Sequence, residues 1–344
     1  MTTPQVPKLS VIIACRDAQS YLGVQLAALA RQECPVPWEL ILADNGSTDH
    51  TVALAESWRE RLPLRVVDAS QVLGAGPARN AGVEQARGEW IGFCDADDEA
   101  GEGWLAALCA ALEHHPFVAG SFEGHRLNSP RTLRSRPLDQ QTGLQCSSPA
   151  VGLPHAGAGN MGIHRSVLLE VGGFDPAVRY LQDTDLCWRV QLAGYPLTFV
   201  PELRMHVRLR STLRTMYRQG RNYGASQASL NRRYAPQARV PVAVGAGAPG
   251  AVTPEAAVAA GLAGAPSAVA TLVPSAAASS SSVATAAASS PVPAPVRRAT
   301  AVRLSGGRLR PVLGGLRLAR YFLTHRASLG QQAWQLGWHL GARS

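Results

Sequence analysis

The chain has 344 residues, a formal net charge of +9 and 46% hydrophobic residues, ample for one large domain or two ordinary ones. Its six cysteines form no Cys-x-x-Cys pair and no zinc-site spacing, so neither a disulfide framework nor a zinc module is indicated and reduced thiols are expected. No apolar run of about 18 residues reads as a membrane span, and residues 1–10 are polar and Pro-rich, without the apolar region of a signal peptide, so a cytoplasmic protein is expected.

In chain order, residues 8–14 read as a buried strand and residues 21–31 as a helix, with Leu22, Leu26 and Leu29 at helical spacing. Residues 38–43 form a second strand ending in Asp44-Asn45-Gly46-Ser47-Thr48-Asp49, turn chemistry with Ser47 or Thr48 as the N-cap of a helix over about 50–61. Residues 64–67 are a third strand. Gly74-Ala75-Gly76-Pro77-Ala78-Arg79-Asn80 opens the next helix, with Pro77 near its start. Residues 90–94 are a fourth strand, ending in Asp95, Asp97 and Asp98. This alternation implies an α/β chain with a mostly parallel sheet and helices on both faces.

Three carboxylates at a strand end suit a hard divalent cation such as Mg²⁺ or Mn²⁺, and ligands of open α/β sheets bind at the carboxyl ends of strands. An Asp-rich turn capping the next helix explains this stretch alone equally well. Asp44 and Asn45 stand where an acceptor group can meet a base or a ribose hydroxyl. Gly74 and Gly76 permit close backbone approach but form neither a dinucleotide fingerprint nor a P-loop, and an ordinary turn explains them.

Further on, residues 104–112 read as a helix, 117–122 as a strand and 126–145 as a polar loop. A Gly-rich approach at Gly157-Ala158-Gly159 leads to a short strand and a helix over 166–171, which Gly172-Gly173 and Pro176 stop. A helix begins at Gln182-Asp183-Thr184-Asp185; Asp183 is placed to project into a cleft as a general base, and Asp185 reads as a first-turn acid suiting the helix dipole. Residues 195–201 make a last strand, followed by His206, a candidate metal ligand or phosphate contact that reads equally as a structural histidine.

After Glu202 one acidic residue, Glu255, faces eighteen arginines. Such an end suits nucleic acid, anionic lipid or anionic substrate, although a single lysine, Lys8, points to codon composition as a source of the Arg excess. Residues 235–302 are Ala, Ser, Pro, Val and Gly with almost no charge or aromatics, a low-complexity linker expected to be disordered. Residues 303–344 recover helical spacing, with Trp334 and Trp338 at i, i+4. This basic segment either lies on an anionic membrane surface at the inner face of the cell membrane or docks on the α/β domain that precedes it. A nucleic-acid partner is not expected, because the arginines lack interleaved aromatics.

The ordered set Ser10-Val11-Ile12-Ile13, Leu42-Ala43-Asp44-Asn45-Gly46-Ser47-Thr48-Asp49, Ala78-Arg79-Asn80-Ala81-Gly82, residues 88–98, Gly172-Gly173-Phe174-Asp175 and residues 183–189 resembles the inverting glycosyltransferases of family 2, which share the Rossmann-like GT-A fold. The resemblance covers roughly residues 8–225 and implies a GT-A domain over 1–234. It implies that Asp95-Ala96-Asp97 is the Asp-x-Asp motif, Asp97 being the direct ligand of a Mg²⁺ or Mn²⁺ ion; His206 is kept beside it as the candidate metal ligand read from the residues. Asp44, Asn45, Arg79 and Asp95 would contact the nucleotide, and Asp183 would deprotonate the acceptor hydroxyl. The implied donor is a nucleoside-diphosphate sugar of UDP or dTDP type, hexosyl or deoxyhexosyl. The implied acceptor is a glycan, a lipid-linked sugar or a small molecule, in glycan, cell-envelope polysaccharide or glycolipid synthesis. Asn45 and Gln182 depart from the family pattern, which often has Asp and Glu there. That keeps a non-catalytic nucleotide- or glycan-binding relative as an alternative; a sugar-nucleotide pyrophosphorylase would need a Gly-rich loop where Ala14-Cys15-Arg16-Asp17 stands.

Overall fold

The alternating apolar residues of the first strands sort onto two faces. In β1 (Leu9–Cys15), Leu9, Val11 and Ile13 enter one core cluster and Ile12 the other; in β2 (Trp38–Asp44), Leu40 and Leu42 oppose Ile41. A strand buried on both faces is what a parallel sheet covered by helices requires. The computed structural model describes residues 6–135, 138–148, 151–238 and 329–343. The linker expected over 235–302 lies, from residue 239, outside the described residues, as do residues 303–328.

Eight strands form one sheet in the order β3-β2-β1-β4-β7-β6-β8-β5. β3 (Leu64–Asp68), β2, β1 and β4 (Trp90–Asp95) are parallel neighbours, while β7 (Asn160–His164) runs antiparallel to β4 and to β6 (Phe117–Glu123). β8 (Thr198–His206) pairs parallel with β6 and closes on the two-residue β5 (Glu99–Ala100). The last strand therefore starts and ends later than its apolar run predicts. A register shift after Gly120 carries it past Pro201, which has no amide to give the ladder.

One core cluster joins that face of the sheet to α1 (Leu22–Leu29) and α4 (Trp104–His114); the other joins the opposite face to α3 (Ala75–Gln85), α6 (Arg165–Glu170) and α7 (Gln182–Leu192). At Gly92 an added Cβ would stand 2.6 Å from Leu108 Cδ2, so the absence of a side chain there lets α4 sit close to β4. α2 (Thr51–Glu56) starts without Ser47 or Thr48 as cap: Asp49 Oδ1 accepts the Thr51 amide at 2.9 Å instead. Residues 126–145, read as loop, contain a short α5 (Pro130–Ser135). The sequence reading passed over α8 (Leu213–Ala238) as an element, although Met216, Leu230 and Tyr234 are buried at helical spacing. A final helix, α9 (Leu329–Gly341), packs on α8.

Candidate active site

Parallel register brings strand ends together: Cys15 pairs with Asp44, and Ala14 with Asp95. Because β7 is antiparallel to β4, its first residue Asn160 lies opposite Cys94, and the Gly157–Gly159 approach arrives beside the Asp cluster. At Gly159 an added Cβ would stand 2.8 Å from Asp95 Oδ2 and 3.3 Å from Asp98 Oδ2, so glycine lets this loop lie against the carboxylates. The result is a cleft of about 500 Å³ lined by the loop after β1, Arg79, Asp95, Asp97 and Asp98, the Gly157–Gly159 loop, Asp183 and residues 207–210. Of the seven candidate site residues, the fold brings Arg79, Asp95, Asp97 and Asp183 onto this one cleft.

Arg79 is 4% exposed. Its Nη2 donates to Asp95 Oδ1 at 2.6 Å, while Nε and Nη1 are buried without a hydrogen-bond partner. Orphaned guanidinium donors at a cleft wall leave a strong anion-recognising fork incompletely used. Burial and the neighbouring Asp95 push the Asp97 carboxyl above its ordinary value; burial, Asp95 and Asp97 push Asp98 well above it. The Arg208 amide partly offsets this by donating to Asp98 Oδ1 at 2.8 Å. Among the described residues no group of three or more His, Cys, Asp and Glu forms a self-sufficient cation site. The donor set still fits Mg²⁺ or Mn²⁺: Asp95 and Asp97 offer hard carboxylate oxygens, and such ions take one or two carboxylates and complete their shell from phosphate and water.

Asp183 stands in the first turn of α7, after Leu181 in the left-handed region at φ 58°. Its Oδ1 accepts the Thr184 amide at 2.9 Å and its Oδ2 the Ala158 amide at 3.3 Å, which fixes the carboxylate across the cleft from the Asp cluster. His155 also lines the cleft, with Nδ1 3.3 Å from Thr184 Oγ1 and Nε2 2.8 Å from Ser147 Oγ. Burial lowers its pKa, against the opposing pull of Asp183. Asp185, read as a first-turn acid, is fully buried and structural: it accepts from Arg189 Nε at 2.8 Å and from the Tyr234 hydroxyl at 2.6 Å.

Three candidates stand apart from the cleft wall. Asn45 spends its side chain on the loop between β3 and α3: Nδ2 donates to the carbonyls of Ala69 and Val72, the latter at 3.0 Å, and Oδ1 accepts the Gly74 amide at 2.8 Å. Aspartate lacks the donors for those two carbonyls, which explains the departure from the family pattern. Asp44 accepts from the Ser47 hydroxyl and, at 3.2 Å, the Ser47 amide. Ser47 Oγ in turn accepts the Asp17 amide at 3.0 Å, so Asp44 shapes the loop after β1 rather than lining the cleft. His206 is a correction as a metal ligand. Its Nδ1 is 2.6 Å from Glu123 Oε2, and it lines a different, charged hollow with Glu99 and Arg126. The next two residues, Val207 and Arg208, line the cleft in its place.

The sequence reading missed Asp17, Arg208, Arg210, Gln219 and Tyr223 as cleft residues. Asp17 adopts φ 49° and Oδ1 accepts the Thr48 amide at 2.8 Å. Arg208 Nε donates to the Asp97 carbonyl at 3.1 Å, and Arg210 Nη2 is 3.9 Å from Asp97 Oδ2. Two arginines within three residues directly after His206 were the available signal.

Residues 10–172 match the family described as Glycosyl transferase family 2. The chain is 34% identical over 114 residues to the poly(ribitol-phosphate) beta-N-acetylglucosaminyltransferase TarS of Staphylococcus aureus, covering 32% of this chain and 20% of that protein. It is 37% identical over 115 residues to a PGL/p-HBAD biosynthesis glycosyltransferase of Mycobacterium bovis, covering 32% and 44%. The chain thus spans less than half the length of these relatives. Among solved structures, the mannosyltransferase PcManGT from Pyrobaculum calidifontis, in complex with GDP-Man and Mn²⁺, superposes with a TM-score of 0.50 at 20% identity over 67% of this chain and 65% of that one, a likeness of fold. The sheet is that of a GT-A domain, and residues 10–172, which carry most of the ordered motifs, are similar to the family 2 glycosyltransferases.

Proposed function

We propose that this chain transfers a sugar from a nucleoside-diphosphate sugar to an acceptor hydroxyl with inversion at the anomeric carbon. The observation that carries the reading is the placement of Asp183 across a single cleft from Asp95, Asp97 and the half-used Arg79 guanidinium. A sugar hydroxyl is a weak nucleophile, so a fixed carboxylate that accepts its proton as it attacks lowers the barrier. The two amides on Asp183 hold it in one orientation for that task. Asp97 and Asp95 would hold the divalent cation, which screens the charge of the leaving diphosphate when bound. Arg79, paired with Asp95, would lend its positive charge to the nucleotide from the cleft wall, and Arg208 and Arg210 would close over the diphosphate.

UDP- and dTDP-sugars of hexosyl or deoxyhexosyl type are the proposed donors. The names of the relatives, one acting on poly(ribitol-phosphate) and one in PGL/p-HBAD biosynthesis, support a cell-envelope polysaccharide or glycolipid acceptor. Among the described residues no helix is long and apolar enough to cross a membrane. We place the activity in the cytoplasm with peripheral contact at the membrane, supported by the arginine excess after Glu202. Co-sedimentation of the full chain with anionic but not neutral vesicles is the expected result. We likewise retain the division into a catalytic domain to residue 234, a linker and a helical end.

Isothermal titration with UDP, dTDP and GDP, each with and without Mn²⁺, tests the central reading. Binding of one diphosphate that requires Mn²⁺ and is lost in Asp97→Ala is expected. Absence of binding to any of them with the metal present would move the chain to the glycan-binding alternative.

A further inference from the structure

α8 and α9, separated by 90 residues of sequence, meet along glycines. Each carries a Gly-x-x-x-Gly pair: Gly220 and Gly224 on α8, Gly337 and Gly341 on α9. An added Cβ at Gly220 or Gly224 would collide with the carbonyl of Trp334 or Trp338; one at Gly337 or Gly341 would collide with that of Tyr217 or Arg221. The two helices therefore touch backbone to backbone. Lower down, an added Cβ at Gly330 would stand 2.9 Å from Met216 Sδ and 3.1 Å from Ser135 Oγ, so α9 also reaches α5.

Glycine inside a helix costs about 1 kcal/mol against alanine, and an isolated helix of this length is marginal in water. Three glycines in the thirteen residues of α9 make sense only for a helix that forms on its seat. On α8, Gln219 and Tyr223 each precede one of the seam glycines by one residue, and both line the cleft, with Gln219 Nε2 3.4 Å from the Tyr223 hydroxyl. The same two turns thus present backbone to α9 and uncharged polar groups to the cleft. The far end of α8 is tied independently: Gln227 Oε1 accepts from Ser147 Oγ at 2.9 Å, and Tyr234 donates to Asp185.

We propose that α9 is a clamp that sets the acceptor side of the cleft, holding the first turns of α8 so that Gln219 and Tyr223 form its wall. An amide and a phenol suit the hydroxyls of a carbohydrate acceptor rather than a diphosphate; this assignment rests on the proposed glycosyl transfer. The test uses the full chain with a specific-protease sequence inserted within residues 239–328. After cleavage, the C-terminal fragment of the otherwise unsubstituted protein is expected to stay with the body on gel filtration. In Gly337→Leu/Gly341→Leu it is expected to separate. With α9 released, hydrogen exchange over residues 213–224 should rise by at least about tenfold. Exchange in β1 and β4 should stay unchanged, and the Mn²⁺-dependent nucleotide affinity should stay within about twofold. Separation of the unsubstituted fragment, or unaltered exchange over 213–224 after release, overturns the clamp. A parallel loss of nucleotide affinity overturns its assignment to the acceptor side. If the intact protein binds no nucleoside diphosphate, the glycosyl-transfer reading fails, while retention and exchange still decide the clamp.

Discussion

Replacing Asp183 by Asn separates what this carboxylate does for the fold from what it does for the reaction. Both its oxygens accept a backbone amide, at 2.9 Å and 3.3 Å. The carboxamide keeps one acceptor and turns an N–H toward the other donor, so about one hydrogen bond is lost, costing about 1 kcal/mol. Removing negative charge from the first turn of α7 costs about 0.3–1 kcal/mol more. Together these lower Tm by about 3–8 °C for a domain of this size. The chemical loss is larger: a general base contributes about 10²–10⁴ in rate, or about 2.7–5.4 kcal/mol at about 1.36 kcal/mol per tenfold. Transfer kinetics with the donor identified by titration, measured well below Tm, should show kcat reduced by at least about 10². Nucleotide affinity should be unchanged, since Asp183 lies across the cleft from the phosphate-binding groups. Transfer within about tenfold of the unsubstituted protein would refute the assignment of Asp183 as base.

Asp97→Ala should abolish Mn²⁺-dependent nucleotide binding yet raise stability in metal-free buffer by about 1 kcal/mol, because it removes a partly buried carboxylate repelled by Asp95; a lower Tm without metal would contradict this. Tyr234→Phe strips a 2.6 Å hydrogen bond from the fully buried Asp185 and should cost about 1–3 kcal/mol in urea unfolding at constant m-value. Nucleotide affinity should not change, and a cost below about 0.5 kcal/mol would show that Arg189 and Arg233 satisfy Asp185 without the hydroxyl. Glu39→Gln tests a buried ion cluster: burial raises its pKa, but hydrogen bonds from Ser10 and Arg87 and the charge of Arg65 outweigh that and hold it below its ordinary value. A depressed folded-state pKa contributes stability that is present above the ordinary carboxylate range and lost as pH falls through the folded value. The variant should therefore be less stable by about 2–3 kcal/mol at pH 7, and the gap should close on acidification; a pH-independent gap would refute the linkage.

Asp95, Asp97 and Asp183 were legible because each ends or begins a segment whose apolar pattern is local, so its place at a strand end or helix start follows from neighbouring residues. Arg79 was legible through the same ordered motifs. His206 could not be placed from sequence because its partner Glu123 lies on β6, and the course of β8 past Pro201 is set by pairing with β6 and β5. Asn45 was misread because its partners, Ala69, Val72 and Gly74, come from a loop more than twenty residues away. α8 was overlooked because its apolar positions are sparse.

The sequence by itself determined the alternation of strands and helices, the two-faced burial of β1, β2 and β4, and the carboxylates at their ends, all properties of period and spacing within short segments. Tertiary structure decided which of those ends share a cleft, which polar side chains are consumed by loops, and why α8 carries glycine on one face. Each of these turns on contacts between residues far apart in the chain: a local pattern can say that a helix has a bare face, but only packing brings the Trp334 and Trp338 carbonyls against it.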